Sequence, residues 1–314
     1  IKNYTVDWLA NNWLSEKTDF EFELINGLEG SADGYVYEVN GSEYRRTGLM
    51  ITNDTSTKSR TYTVYLTSGG AQVTNPIVYT VKVDLENPIL SIPRYEHPAD
   101  IYYTHNRISI DAQDDHSGVA SLYLYSYNKE TGELEHSHNI IEECTTGSND
   151  QSYIDKDTGY YVWYFQDTGR KVIEVTDNAG RKSSFELDVK IDTFVPTISV
   201  DAYYMADVPG LDSDGQQIIT PTKTPYDGGE VEKAVYFDVT AQFGEAGGEI
   251  QYSYDNEHWY TYTDTLTVKE SADVYFRALS NTYDHPAMDS YSYNRKYQLT
   301  TYWEKNVQIG SDGI

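Results

Sequence analysis

The chain contains a single cysteine, Cys144, among 314 residues. An intrachain disulfide and a cysteine-ligated zinc site are therefore both excluded. Eukaryotic extracellular arrays of small domains usually carry disulfides, so their absence favours a bacterial surface protein. Basic residues are scarce, with 23 Lys and Arg against 50 Asp and Glu, a formal charge of −27. Split at the boundaries argued below, residues 1–86 carry 7 basic and 12 acidic groups, 87–194 carry 9 and 19, and 195–314 carry 7 and 19. The acidity is spread over the whole chain and is not a tail. Such a surface keeps a long extracellular protein soluble. It excludes nucleic acid as a partner, because that binding depends on Lys and Arg neutralising phosphates, and it disfavours anionic membrane surfaces. No run approaches 18 apolar residues, so no segment is expected to insert into a membrane. The start, Ile1-Lys-Asn-Tyr-Thr5, has neither an initiating Met nor a leader's apolar run. The sequence therefore reads as a piece of a longer protein with its targeting and anchoring parts elsewhere.

What is present is β-sheet patterning. Period-two alternation marks Tyr62-Thr-Val-Tyr-Leu66, Val78-Tyr-Thr-Val-Lys-Val83, Ser121-Leu-Tyr-Leu-Tyr-Ser-Tyr127, Lys171-Val-Ile-Glu-Val175, Val235-Tyr-Phe-Asp-Val-Thr240 and Asp273-Val-Tyr-Phe-Arg-Ala278. Helical periodicity is nearly absent. Turn clusters such as Asn40-Gly41, Asp177-Asn-Ala-Gly180 and Asp255-Asn256 separate these runs. Short strands at this spacing indicate antiparallel sandwiches. A repeat supports the same conclusion: Val81-Lys-Val-Asp84 followed by Pro88-Ile-Leu-Ser-Ile92 returns as Val189-Lys-Ile-Asp192 followed by Pro196-Thr-Ile-Ser-Val200. The spacing is about one sandwich domain. We therefore expect an all-β protein of three tandem immunoglobulin-like sandwiches forming an elongated rod. The divisions are 1–86, 87–194 and 195–314, and the third domain has an atypical C-terminal end because no Pro follows Thr300.

Several of these segments resemble a known family. Asp114-Asp-His-Ser-Gly-Val119, then Asp167-Thr-Gly-Arg-Lys-Val-Ile-Glu-Val-Thr-Asp-Asn-Ala-Gly180, then Val189-Lys-Ile-Asp192 with Pro196, look like the tandem bacterial Ig-like domains of Gram-positive cell-surface proteins. Arg181 stands where that family usually has Asn. The Tyr252-Ser-Tyr-Asp-Asn256 run with Trp259 is similar to a related repeat in which Gly is commoner than Asn256. The resemblance implies fold and an extracellular or cell-surface location. Such domains serve as stalks, adhesive heads or accessory modules of carbohydrate-active enzymes, so it leaves function open.

No catalytic motif is legible. His136-Ser-His138 near Glu142 and Glu143 reads better as a solvated acidic loop than as a metal site. The carboxylates flanking Cys144 would raise a thiol pKa, making it a poor nucleophile. Calcium is the cofactor the sequence leaves open. Asp111, Asp114 and Asp115 cluster, Asp84 and Asp192 sit at domain junctions, and hard oxygen ligands suit that ion. Against this, Asp-rich turns are ordinary turn chemistry. The most informative departure is 31 tyrosines, with aromatics at 14% of the chain. Alternation puts Leu122 and Leu124 on one strand face and Tyr123, Tyr125 and Tyr127 on the other, an exposed stripe if the leucines are core. Tyr252, Tyr254, Trp259 and Tyr262 form a second candidate surface. Tyrosine also serves as scaffold in strands, but Tyr and Trp supply large contact area at low entropy cost. The sequence thus reads as a non-catalytic adhesin-type segment binding a host protein (an immunoglobulin or another mucosal glycoprotein) or a glycan. The alternatives are a spacer and an enzyme's accessory module. Two long stretches, residues 129–160 and 205–229, read as loops that decorate the domains unequally.

Overall fold

The computed structural model describes residues 1–22, 31–51, 58–93, 101–104, 106–147, 152–165, 167–283 and 300–310. The expected Thr300 repeat falls partly outside them, at 297–299. The architecture is all-β, and no described sheet crosses 86/87 or 194/195. By internal packing the chain forms two compact units: residues 1–95, 108–163 and 169–188, and residues 96–107, 164–168 and 189–314. Neither unit coincides with one of the three contiguous segments read from the repeat. The second unit includes 101–104 because Tyr103 N–H bonds to the Lys190 carbonyl, Asp192 N–H bonds to Tyr103, and Thr104 N–H bonds to Tyr283.

In the first sheet, Trp13–Leu14, Ile77–Val83, Lys58–Ser68, Gly34–Val39 and Ser42–Thr47 lie in that order. The Gly34–Val39 hairpin turns at Asn40 and Gly41, both with positive φ (53° and 74°), as a two-residue hairpin loop requires. Alternation buries Tyr79, Val81 and Val83 with Phe20, Phe22, Tyr35 and Tyr62. Tyr62 and Tyr79 are cross-strand partners, stacked 5.4 Å apart. Here tyrosine is core.

The next two sheets are Tyr153–Ile154, Tyr161–Phe165, Asn106–Gln113, Ile89–Ser91, and Leu134–Asn139, Val119–Tyr127, Gly169–Asp177, Lys182–Val189. Leu122, Leu124, Ile173 and Val175 are buried. The stretch 129–160, expected as a loop, instead carries strand Leu134–Asn139, helix Ile140–Thr146 and strand Tyr153–Ile154. Asn139 caps the helix by accepting from Glu142 N–H, and Ile140 and Cys144 face inward one turn apart. Seven residues are too few to show a helical period in sequence.

The last two sheets are Gln217–Pro225, Thr197–Leu211, Val235–Gln242, Leu266–Val268, and Glu230–Val231, Thr300–Ile309, Ala272–Ser280, Gly248–Ser253, Tyr260–Thr261. Between them pack Val235, Phe237, Val239, Val274, Phe276 and Val307. The stretch 205–229 is also not a loop. Thr197–Leu211 and Gln217–Pro225 form a long hairpin, paired from Tyr203↔Pro225 to Leu211↔Gln217. Its distal residues are exposed on both faces, so no apolar alternation marked it. Pro221 and Pro225 are tolerated because Gln217–Pro225 is an edge strand.

Candidate functional site

The outer face of strands Ala272–Ser280 and Thr300–Ile309 is built by register. Tyr275 lies opposite Glu304 and Arg277 opposite Tyr302. The intervening Phe276 is buried in the core, and half-buried Trp303 packs on Phe237 and Phe276 while also bordering the groove. Arg277 is fixed twice. Its Nε and Nη2 donate to Gln251 Oε1 at 2.9 and 2.6 Å, and its guanidinium lies 4.0 Å from the centre of the Trp259 ring. Trp259 in turn meets Tyr302 edge-on at 6.2 Å. The result is an open groove of about 640 Å³ lined by Asn256, Trp259, Tyr275, Arg277, Tyr302, Trp303 and Glu304.

The turn carrying Trp259 is stapled by Asp255. Its Oδ1 accepts from the N–H groups of Glu257 and His258, and His258 Nδ1 lies 2.7 Å from Oδ2. These bonds hold the Asp255 carboxyl well below the usual carboxylate range, led by the His258 backbone bond. Asn256 takes φ of 59° here, filling the left-handed position for which Gly is commoner. Among the groove's polar groups, the Asn256 amide, the Tyr275 and Tyr302 hydroxyls and the Glu304 carboxylate make no hydrogen bond to any described residue.

Of the aromatic residues singled out in sequence, Trp259 lines this groove. Tyr252 packs half-buried between Tyr254 and Tyr260, with ring centres at 5.8 and 5.5 Å, and Tyr254 is exposed beside it. Tyr262 is a structural pin. Its hydroxyl accepts from Val239 N–H at 2.9 Å and donates to the Phe237 carbonyl at 3.1 Å. Tyr123, Tyr125 and Tyr127 do lie opposite buried Leu122 and Leu124, but they are half-buried and not an exposed stripe. Tyr123 and Tyr125 stack at 6.1 Å, and Arg170 covers Tyr127 at 4.8 Å. The flanking ion pairs Lys182–Glu174 and Arg170–Glu186 lie on the neighbouring strands. Sequence reasoning missed Tyr275, Arg277, Tyr302 and Glu304, whose only signal was the alternation Tyr275-x-Arg277 and Tyr302-x-Glu304.

The acidic candidates separate. Asp84 and Asp114 come together with Asp177, which the sequence reading did not include, and carboxylate oxygens of the three lie within 4.8 Å of one another. Asp111 accepts from the side-chain amide of Gln113 and is not in the group, nor is Asp115. Asp192 is a structural cap in the second unit: Oδ1 accepts from Phe194 N–H and Oδ2 from Ala246 N–H. Asp84 makes the same pair of bonds, to Glu86 N–H and Ser117 N–H. The repeated Asp is thus a repeated backbone cap, and among the described residues the first copy belongs to a group of three carboxylates whereas the second does not. His136 and His138 lie on strand Leu134–Asn139, and His138 Nδ1 is 3.0 Å from Glu143 Oε1 with its ring packed on Trp163; the group among the described residues that could hold a metal ion includes neither histidine. Cys144 is buried, which with Glu143 pushes its thiol up to about 11.

No protein-family model matches the chain, and no curated protein matches it. Solved structures match at the level of tandem β-modules. The fibronectin(III)-like modules of Clostridium thermocellum CbhA are 14% identical, over 57% of this chain and 88% of theirs, with a TM-score of 0.28. A D1–D4 ectodomain fragment of ICAM-5 is 10% identical, over 95% and 73%, at 0.39. A tetra-tandem repeat from the extending region of a large adhesion protein is 9% identical, over 89% and 66%, at 0.25. At such scores and identities these likenesses assign neither a family nor a ligand. No helix among the described residues is long and apolar enough to cross a membrane.

Proposed function

We propose that this chain is a non-catalytic binding segment of an extracellular or cell-surface protein built from three tandem sandwiches, and that the Trp259 groove is its contact for a carbohydrate. One observation carries the reading. Four polar side chains in the groove make no hydrogen bond to any described residue while lying among aromatic rings. A pyranose ring pairs an apolar C–H face with a polar rim, and that is the chemistry this lining complements. Arg277 is held in place by Gln251 and Trp259, so its remaining N–H groups are oriented before a ligand arrives, which lowers the entropic cost of binding. Among the described lining residues Glu304 is the single carboxylate, whereas glycoside hydrolysis generally employs two flanking the scissile bond. That asymmetry favours binding over cleavage.

The stripe at Tyr123, Tyr125 and Tyr127 is a weaker candidate for a protein partner, because its rings are already covered by Arg170 and by one another. The test is a glycan array probed with the whole chain, then titration of any hit against Trp259→Ala and Tyr302→Ala. Each should weaken binding at least tenfold, as truncated aromatic anchors do. Retained affinity in both variants would overturn the groove assignment. An array without hits, joined to no capture of immunoglobulin or mucosal glycoprotein, would make the chain a spacer.

A further inference from the structure

The carboxylates at the junction are an unbalanced charge. Asp84 follows strand Ile77–Val83 at the end of the first sandwich, Asp114 follows Asn106–Gln113, and Asp177 closes Gly169–Asp177. Asp84 and Asp177 are 0% and 2% exposed, and Asp114 is half-buried. Their hydrogen-bond donors are backbone N–H groups and the Ser117 hydroxyl; among the described residues no Lys or Arg side chain pairs with them, and His116 is the nearby titratable group that favours ionised Asp84. Arg181, four residues on from Asp177, spends its guanidinium on Asn87 Oδ1 at 2.9 Å and the Ser15 carbonyl at 3.0 Å. Burying like charges at such range without a counterion is costly.

The second observation is the Asp177 side chain itself. Oδ1 accepts from the N–H groups of Ala179 and Arg181, at 2.8 and 2.9 Å. Oδ2 is buried and bonded to nothing. A buried carboxylate oxygen with no donor is rare in a folded protein and calls for a partner. The carboxyl is also held above its ordinary pKa, first by burial and further by the charges of Asp84 and Asp114.

We propose that Asp84, Asp114 and Asp177 bind one calcium ion, which links the last strand of the first sandwich to two loops of the second. The donor set is all carboxylate, without His or Cys, and so selects a hard cation over zinc. Calcium bonds oxygen at about 2.3–2.6 Å, so two of its ligands lie at most about 5 Å apart. These oxygens all lie within 4.8 Å of one another, inside that span. Calcium also accepts irregular coordination completed by water, whereas magnesium demands a near-ideal octahedron and gives up water reluctantly. The alternative occupant is a proton on Asp177, and the two differ in a measurable way.

The experiment compares the whole chain with Asp114→Asn and Asp177→Asn, each freed of metal by chelator and then titrated with calcium chloride. The parent should bind one calcium per chain by isothermal titration and melt several degrees higher in millimolar calcium, reversibly on adding chelator. Both variants should lose at least tenfold in affinity. Asp177→Asn keeps the Oδ1 acceptor and removes one of three like charges. In chelator it should therefore melt at or above the parent, and the order should invert in calcium. No heat and no melting shift in the parent at 10 mM calcium, as about the upper end of extracellular-type affinities, would overturn the proposal in favour of a resident proton. An equal shift with magnesium, or an undiminished calcium response in Asp177→Asn, would overturn it too. The outcome is independent of the groove, which belongs to the other compact unit.

Discussion

Replacing Tyr262 by Phe removes one oxygen atom and tests whether this residue belongs to the scaffold. Strand Leu266–Val268 pairs with Val235, Tyr236 and Phe237 and then ends. Beyond that point the same edge of strand Val235–Gln242 pairs with no strand among the described residues, and the Tyr262 hydroxyl takes its place. It receives Val239 N–H and gives its proton to the Phe237 carbonyl. Val239 and Phe237 are 6% and 0% exposed, so neither backbone group gains free access to water when the hydroxyl goes. The ring itself still packs edge-on against Phe276 at 5.9 Å. The loss is therefore that of polar partners alone. An unsatisfied buried donor costs about 1–3 kcal/mol, and we take about 2 kcal/mol for the pair. At 25 °C that is roughly 30-fold in the unfolding equilibrium, and about 6–12 °C in Tm for a domain of this size. Urea denaturation of the whole chain, with hydrogen exchange read at the Val239 amide, measures it. Tyr254→Phe is the control, because that hydroxyl makes no bond to a described residue. A Tyr262→Phe variant within about 0.5 kcal/mol of the parent, with Val239 still protected, would refute the reasoning. Any glycan affinity should survive the substitution, since Tyr262 lies outside the groove lining.

Two further outcomes follow from ionisation. The Cys144 thiol, buried and pushed up to about 11, should resist a thiol-reactive disulfide at pH 8 in the native chain and react fully once denatured; rapid native labelling would contradict its placement. Asp255 is depressed in the folded state, so its contribution is present above the unfolded value of about 3.9 and fades as pH falls through the lower folded value. The Trp259 turn should therefore keep its fluorescence and any ligand affinity at pH 5 and loosen only in stronger acid. Loss of the turn already complete at pH 5 would refute the assignment to the Asp255 carboxylate.

Much of the scaffold is written in local patterns. Two-residue alternation in Ile77–Val83, Val119–Tyr127 and Ala272–Ser280 states both that these are strands and which side chains face inward. The Asp84 and Asp192 repeat is legible for the same reason: each caps the backbone two residues on, a bond made within the sequence's own reach. The distal hairpin of Thr197–Leu211 and Gln217–Pro225 was not legible, because a ribbon exposed on both faces leaves no apolar period. Helix Ile140–Thr146 is too short to show one.

The sites divide along the same line. Composition and alternation by themselves determined an all-β acidic chain, rich in tyrosine, with junction aspartates worth weighing as calcium ligands. Which tyrosines are core, pin or surface depends on what lies across the strand, and Tyr62, Tyr262 and Tyr302 take those three roles with the same side chain. Tertiary structure alone set Arg277 beside Tyr302 and under Trp259, and set Asp177 against Asp84 and Asp114. Those neighbours come from segments far apart in sequence. Only cross-strand register and the meeting of separate loops bring them within bonding distance, and no local period encodes either.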